Sequence, residues 1–256
     1  MNIVQAIIFG VVEGVSEFLP ISSTGHLMLT ARYLGISQTE FVKSFEIAIQ
    51  LGAILAVVVL YWKTLIRGGD IYLKLLAAFI PTAVIGGILY KVVKGFLLES
   101  YTVVLWALFL GGIAIIIFEW LHREKVSAAA ELSEISYPQA VLIGLFQSLA
   151  IVPGVSRAAA TIVGGLIVGL RRKTIVEFSF LLAIPTMAAA VGLDLFRSAN
   201  AFNREQFLVL SIGFVVSFAV ALLAIRFLLV FIKKHTFISF GIYRILLAAA
   251  FWIKFK

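Results

Sequence analysis

Between Glu13 and His26 the chain reads EGVSEFLPISSTGH, a polar cluster inside an otherwise very apolar N-terminal segment. A carboxylate or imidazole at membrane depth is costly, so such a cluster marks a functional site. Glu13 and Glu17 are four residues apart, so on a helix their carboxylates project from one face. Such a pair either holds a hard divalent cation or divides proton chemistry, one member accepting a proton while the other stays charged. An intramembrane ion-pair network is the plainer alternative. Ser22, Ser23 and Thr24 can cap the helix that follows, whose free N–H groups and positive dipole end favour an anion. His26, in the first turn of that helix, can act as a base or phosphate ligand, or bond a neighbouring helix.

A second island, PGVSRAAAT from Pro153 to Thr161, lies in a similar apolar setting. Ser156 again offers a helix N-terminus, and Arg157 supplies a permanent charge with a bidentate fork suited to phosphoryl oxygens. Thr161 follows one turn later on the face of Arg157. Gly154 permits a positive φ or a close backbone approach. The two islands are expected to meet in one phosphate-handling cavity, with Glu17, Ser23, His26, Ser156 and Arg157 converging there. Arg157 pairing with Glu17 would also bring them together.

The elements that must carry these islands are membrane helices. Of 256 residues, 62% are hydrophobic and 13% charged, and several apolar runs reach bilayer-spanning length. Met1 to Phe9 lacks a basic leading region and is not read as a removable targeting peptide. Cysteine is absent, which excludes disulfides, thiolate nucleophiles and Cys-ligated metals. The net charge of +8 is spread over short connections such as Lys63 to Lys74, Arg171 to Lys173 and Lys233–Lys234. That distribution suits anionic lipid headgroups, and no nucleic-acid-binding pattern accompanies it. The basic loops favour a cytoplasmic placement of that side, although the opposite loops also carry Lys and Arg.

Gln5 to Phe18 reads as a short helix stopped at Leu19–Pro20, and a second short helix runs from the serines to Tyr33. Two short helices around a polar tip form a re-entrant hairpin. Spans follow at Val42 to Tyr61, Leu73 to Val93 and Tyr101 to Trp120, with Pro81 kinking the second. Glu46 and Gln50 share one face of the first span and either line a polar cavity or bond a neighbouring helix. His122 to Pro138 connects the halves. Gln139 to Val152 and Ser156 to Leu170 then flank the second tip, followed by spans at Ile175 to Leu193, Phe207 to Phe231 and Phe240 to Phe255.

The order repeats. QAIIFG at Gln5 resembles QAVLIG at Gln139, which divides the chain into residues 1–121 and 138–256. Aligning Pro20 with Pro153 sets Ser23 opposite Ser156, while Gln147 falls near the position of Glu13. The expected fold is an all-α polytopic membrane protein of two inverted-topology repeats, each a re-entrant hairpin plus three transmembrane helices. Transporters share this plan, so it locates a site without saying whether a bond is broken there.

EGVSEFLPISSTGH, FEIAIQLGAILAV at Phe45, PGVSRAAAT and FGIYRI at Phe240 together resemble the bacterial BacA/UppP family of undecaprenyl-diphosphate phosphatases, in order and over nearly the whole chain. The resemblance implies removal of the terminal phosphate of undecaprenyl diphosphate, a role in lipid-carrier recycling and bacitracin resistance, and a multi-pass plasma-membrane protein whose site faces outward. It also implies a divalent cation, Mg²⁺ or Ca²⁺, held against the diphosphate by Glu17 with help from Glu13. Ser23 is the preferred nucleophile, with Glu17 or His26 as base; water activated by either is the rival. Where the family often has serine and a small residue after the arginine, this chain has Ala158 and Ala159. A lipid flippase using the same anion site is the alternative activity. Membrane lipids are the expected surroundings, a homodimer is compatible with the sequence, and nucleic acid is not an expected partner.

Overall fold

The structure, a computed structural model, describes residues 1–92, 100–124, 128–198 and 204–255. The expected end of the second span at Val93, and residues 125–127 of the expected connection, lie outside the described residues. The protein is an all-α, multi-pass membrane protein. Among the described residues, four helices are long and apolar enough to cross a bilayer: α3 (Glu40–Leu60), α5 (Asp70–Val92), α6 (Tyr101–Leu121) and α10 (Arg204–Phe231). The expected spans at Ile175 to Leu193 and Phe240 to Phe255 fall on the helices α9 (Arg172–Ser198) and α11 (Ile238–Lys254). A six-residue helix, α4 (Trp62–Arg67), joins α3 to α5. Outward-facing side chains such as Ile80, Val84, Ile88, Leu223, Phe227 and Val230 are exposed and apolar, as a lipid-facing surface requires.

The four remaining helices are short: α1 (Ile3–Ser16), α2 (Ser23–Tyr33), α7 (Tyr137–Gln147) and α8 (Arg157–Ile167). The Gln5/Gln139 likeness has a local cause. Each glutamine closes a capping box, Gln5 with Asn2 and Gln139 with Ser136, so two orphan donors are satisfied at the start of α1 and of α7. Pro138 in the first turn of α7 forfeits no internal bond there.

The packing has matched helix pairs: α1 lies on α10 as α7 lies on α5, while α3 meets α9 and α6 meets α11. Lipid supplies no hydrophobic drive between helices, so small residues that let backbones approach closely decide these pairings. A Cβ at Gly144 would stand 2.0 Å from the Ala78 carbonyl oxygen of α5, and one at Gly10 would stand 2.7 Å from the Gly213 carbonyl oxygen of α10. At the α6–α11 crossing the relation is reciprocal: Gly112 would meet the Gly241 carbonyl at 2.6 Å, and Gly241 the Gly112 carbonyl at 2.7 Å.

Helix α5 contains Pro81 and helix α9 contains Pro185, and a threonine follows each. Gln147 donates to both hydroxyls, at 2.9 Å to Thr82 and 3.3 Å to Thr186, while Thr82 donates to the Gly144 carbonyl at 2.9 Å. At the centre, Phe18 of the first tip meets Phe180 of α9 edge-on with ring centroids 5.4 Å apart. That contact locks one tip against the helix behind the other.

Candidate active site

Each tip ends in a serine that the backbone forces into an unusual conformation. Ser22 has φ +73° and Ser156 φ +79°, and no other non-glycine residue among those described has a positive φ. Each is an N-cap: Ser22 Oγ accepts from the Gly25 N–H at 3.3 Å and Ser156 Oγ from the Ala159 N–H at 3.2 Å. The caps therefore make Ser22, not Ser23, the counterpart of Ser156, which corrects the alignment drawn through the prolines. Ser23 and Arg157 are then the matching first residues of α2 and α8. Gly154, at φ +96°, follows Pro153, which lies one position earlier in its tip than Pro20 does, and a Cβ there would lie 2.7 Å from the Val104 carbonyl oxygen.

Across the tips, Glu17 is the meeting point. Its Oε1 accepts from Arg157 Nη2 at 3.0 Å, and its Oε2 accepts from the Ser23 hydroxyl in a short hydrogen bond. Both charged side chains are nearly buried, with 6% exposure for Glu17 and 11% for Arg157. Arg157 Nη1 donates to the Ser179 carbonyl at 2.9 Å, and Arg157 Nε is a buried donor with no hydrogen-bond partner among the described residues. A cavity of about 250 Å³ is lined by Glu17, Ser22, Ser23, Thr24, Gln50, Ser156 and Arg157, together with Pro153, Gly154 and Thr186.

Other candidates lie apart from this lining. His26 Nδ1 donates to the Ser22 carbonyl at 2.7 Å, and its Nε2 meets the Tyr243 hydroxyl at 2.8 Å with the rings stacked. A carbonyl can only accept, so the neutral ring carries its proton on Nδ1 and Nε2 accepts from Tyr243. Thr161 is buried, with its hydroxyl shared between the Arg157 carbonyl at 2.9 Å and Ser179 Oγ at 2.6 Å. Glu46, half-buried on α3, accepts from Gln38 at 3.2 Å. Glu13 is fully buried beside Glu17, and among the described residues neither of its carboxylate oxygens has a hydrogen-bond partner.

The expected Mg²⁺ or Ca²⁺ site is not supported. Among the described residues, no three His, Cys, Asp or Glu side chains are grouped to hold a metal ion. The donor chemistry explains why Glu13 and Glu17 do not fit the role. A hard dication requires about six or more oxygen ligands, counting water. Both Glu17 oxygens already serve Arg157 and Ser23, and the guanidinium brings a positive charge where the cation would sit.

Sequence reasoning also missed a residue. Arg244, fully buried inside α11, donates to the carbonyls of Pro20, Gly154 and Val155 as well as to Ala107 and Leu108. Its signal was present: an arginine in the interior of an apolar helix is as anomalous as the acids of the first tip.

A family model described as bacitracin resistance protein BacA matches residues 6–250. The chain belongs to this family. Among its relatives, the undecaprenyl-diphosphatase of Aquifex aeolicus is 54% identical over 252 residues, covering 97% of this chain and 98% of that protein. The undecaprenyl-diphosphatases of Wolinella succinogenes and of a Sulfurihydrogenibium species are 51% and 50% identical, over 98% and 99% of this chain. The BacA match runs from within α1 to within α11, so both tips and Arg244 fall inside it.

Proposed function

We propose that this BacA-family chain hydrolyses undecaprenyl diphosphate to undecaprenyl phosphate and inorganic phosphate, recycling the lipid carrier of cell-wall synthesis in the plasma membrane. The observation that carries the chemistry is the Ser23–Glu17–Arg157 contact, assembled from two tips 140 residues apart in sequence. Ser23 is the nucleophile and Glu17, which already accepts its hydroxyl hydrogen, is the base. As Ser23 Oγ bonds to the terminal phosphorus, its proton passes to Glu17 and the bridging P–O bond breaks, its electron pair leaving with undecaprenyl phosphate. Water then attacks phospho-Ser23, Glu17 returns the proton to Oγ, and phosphate departs with both water hydrogens.

Arg157 supports charge on the transferred phosphoryl group, its unpartnered Nε being a free donor for an incoming oxygen. Ser22, Thr24 and Ser156 present the N-termini of α2 and α8 to the same group. Glu13, buried behind Glu17, sets the local field. Gln50 lines the approach and Gly154 lets the second tip come close, whereas Glu46 and Thr161 support the elements around the site. His26 fixes the Ser22 carbonyl, which leaves Glu17 as the group in contact with the nucleophile.

The matched pairs α1–α10 and α7–α5, and the reciprocal glycines of α6 and α11, support two inverted repeats over residues 1–121 and 138–256, each with a re-entrant hairpin. The basic loops then face the cytoplasm and the cavity the exterior. The same pairing favours a second reading, translocation of the lipid carrier through the same anion site.

Purified protein should release phosphate from a polyprenyl diphosphate and lose that activity in Glu17→Ala and Arg157→Ala. Trapping phospho-Ser23 supports the covalent route, and normal turnover by Ser23→Ala refutes it. Absence of phosphate release from correctly folded wild-type protein would leave translocation as the reading.

A further inference from the structure

Arg244 has no part in the chemistry above, yet its surroundings are unusually complete. A guanidinium has five N–H donors. Here Nε bonds the Leu108 carbonyl at 3.3 Å, Nη1 bonds Pro20 at 3.3 Å and Val155 at 2.9 Å, and Nη2 bonds Ala107 and Gly154, each at 2.9 Å. All five donors meet backbone carbonyls, and among the described residues none meets a carboxylate. Burying an unpaired charge at this depth to fill space would be poor packing compared with a leucine. Something has to require the fork.

The carbonyls it holds are those that set the conformation of both tips. Pro20 lies two residues before the strained Ser22, and the Val155 carbonyl belongs to the peptide that enters Ser156. Arg244 thus holds the carbonyl of the peptide that leads into Ser156, the residue at φ +79°. The Ala107 and Leu108 carbonyls anchor the same guanidinium to α6, a rigid wall behind both tips. The preceding residue of α11, Tyr243, holds His26, which in turn holds the Ser22 carbonyl. One turn of α11 therefore reaches both hairpins.

We infer that Arg244 is a positioning residue for the phosphatase site: a single guanidinium clamps the two tips in the register that brings Ser23 and Arg157 onto Glu17. It touches neither substrate nor reacting atoms. The inference rests on the phosphatase reading for its kinetic readout and stands apart from it for its structural one.

Two variants test the clamp. Arg244→Lys keeps the charge but has three donors, so at least two of the five carbonyls lose their partner. Gly111→Ala retains the arginine but sets a Cβ 2.2 Å from its Nη2, which must move. Gly87→Ala, where a Cβ meets nothing within 4 Å, is the control. In folded protein, matched by chromatographic elution and thermal unfolding, both variants should lower kcat about 100-fold with KM altered less than about 3-fold, the effect of a misplacement of order 1 Å. Hydrogen exchange at the peptides spanning residues 17–23 and 152–157 should rise in both variants and stay unchanged in α3.

A loss explained wholly by a smaller folded fraction, or wild-type exchange at both tips, overturns the clamp. If exchange rises at both tips while the wild-type protein itself releases no phosphate, the clamp stands and the phosphatase reading falls.

Discussion

A serine at φ +79° is an expensive choice for a position where glycine would be at ease, and that gives a prediction with opposite signs for stability and activity. Holding a non-glycine residue in this region costs about 1–3 kcal/mol. Ser156→Gly removes that strain, loses only a few tenths of a kcal/mol of capping, and adds roughly 0.5–1 kcal/mol of backbone entropy cost. The variant should therefore be more stable than the wild type by about 1 kcal/mol. Ser156→Ala keeps the strain and loses the 3.2 Å cap bond to Ala159, so it should be less stable by about 1 kcal/mol. The two variants differ only by a methyl group, yet should lie about 2 kcal/mol apart, glycine above alanine. Denaturant titration in detergent micelles measures the order directly. Both variants remove a hydroxyl from the cavity wall and should lose about 100-fold in phosphate release. If alanine proves as stable as glycine, the positive φ carries no strain and the functional explanation for serine at this tip is wrong.

Two further substitutions test the frame that holds the tips. Gly144→Ala places a methyl group 2.0 Å from the Ala78 carbonyl oxygen, and separating α7 from α5 to admit it should cost at least about 2 kcal/mol in the same titration. Gly192→Ala, which meets nothing within 4 Å, should instead gain roughly 0.5–1 kcal/mol from reduced backbone freedom in the unfolded chain. Glu119, with its side chain 1% exposed, pairs with Arg172 and accepts the Phe237 N–H at 3.1 Å. Glu119→Gln leaves that arginine without its counter-charge and should destabilise the protein by about 3 kcal/mol, again read by denaturant titration.

The tips were legible in the sequence because polar residues in an apolar run have few physical excuses. Glu17, Ser23 and Arg157 could each be singled out on that ground, and capping chemistry placed Ser22 and Ser156 at helix starts. A pairing of Arg157 with Glu17 could be anticipated; that Arg157 and Ser23 together occupy both Glu17 oxygens could not. Glu13 and Glu17 at helical spacing looked like a cation pair, but the partners of Glu17 are an arginine from the other tip and a serine across the turn. Neither partner is visible in a spacing of four. Arg244 was overlooked for a related reason: its contacts are backbone carbonyls, which every residue owns and which leave no trace in composition. The threonines after Pro81 and Pro185 were missed likewise, since Gln147 joins them only through space.

The register of the two tips shows how an alignment drawn through prolines can mislead in detail. Aligning prolines treats the most rigid residue as the landmark. Proline, however, restrains its own φ and its predecessor, and leaves the following residues free to differ in number. Pro153 sits one position earlier in its tip than Pro20 does, and the two capping boxes agree with the two strained serines rather than with the prolines. In that register Glu13 faces Gln147, Glu17 faces Ile151 and Ser23 faces Arg157. Identical tips would set carboxylate against carboxylate and leave no cation for a diphosphate. The helix pairs that frame the tips match while the tips themselves differ, with Glu17 and Ser23 on one and Arg157 on the other. A clamp on the frame that leaves those contents untouched, such as Arg244, is what that division of labour requires.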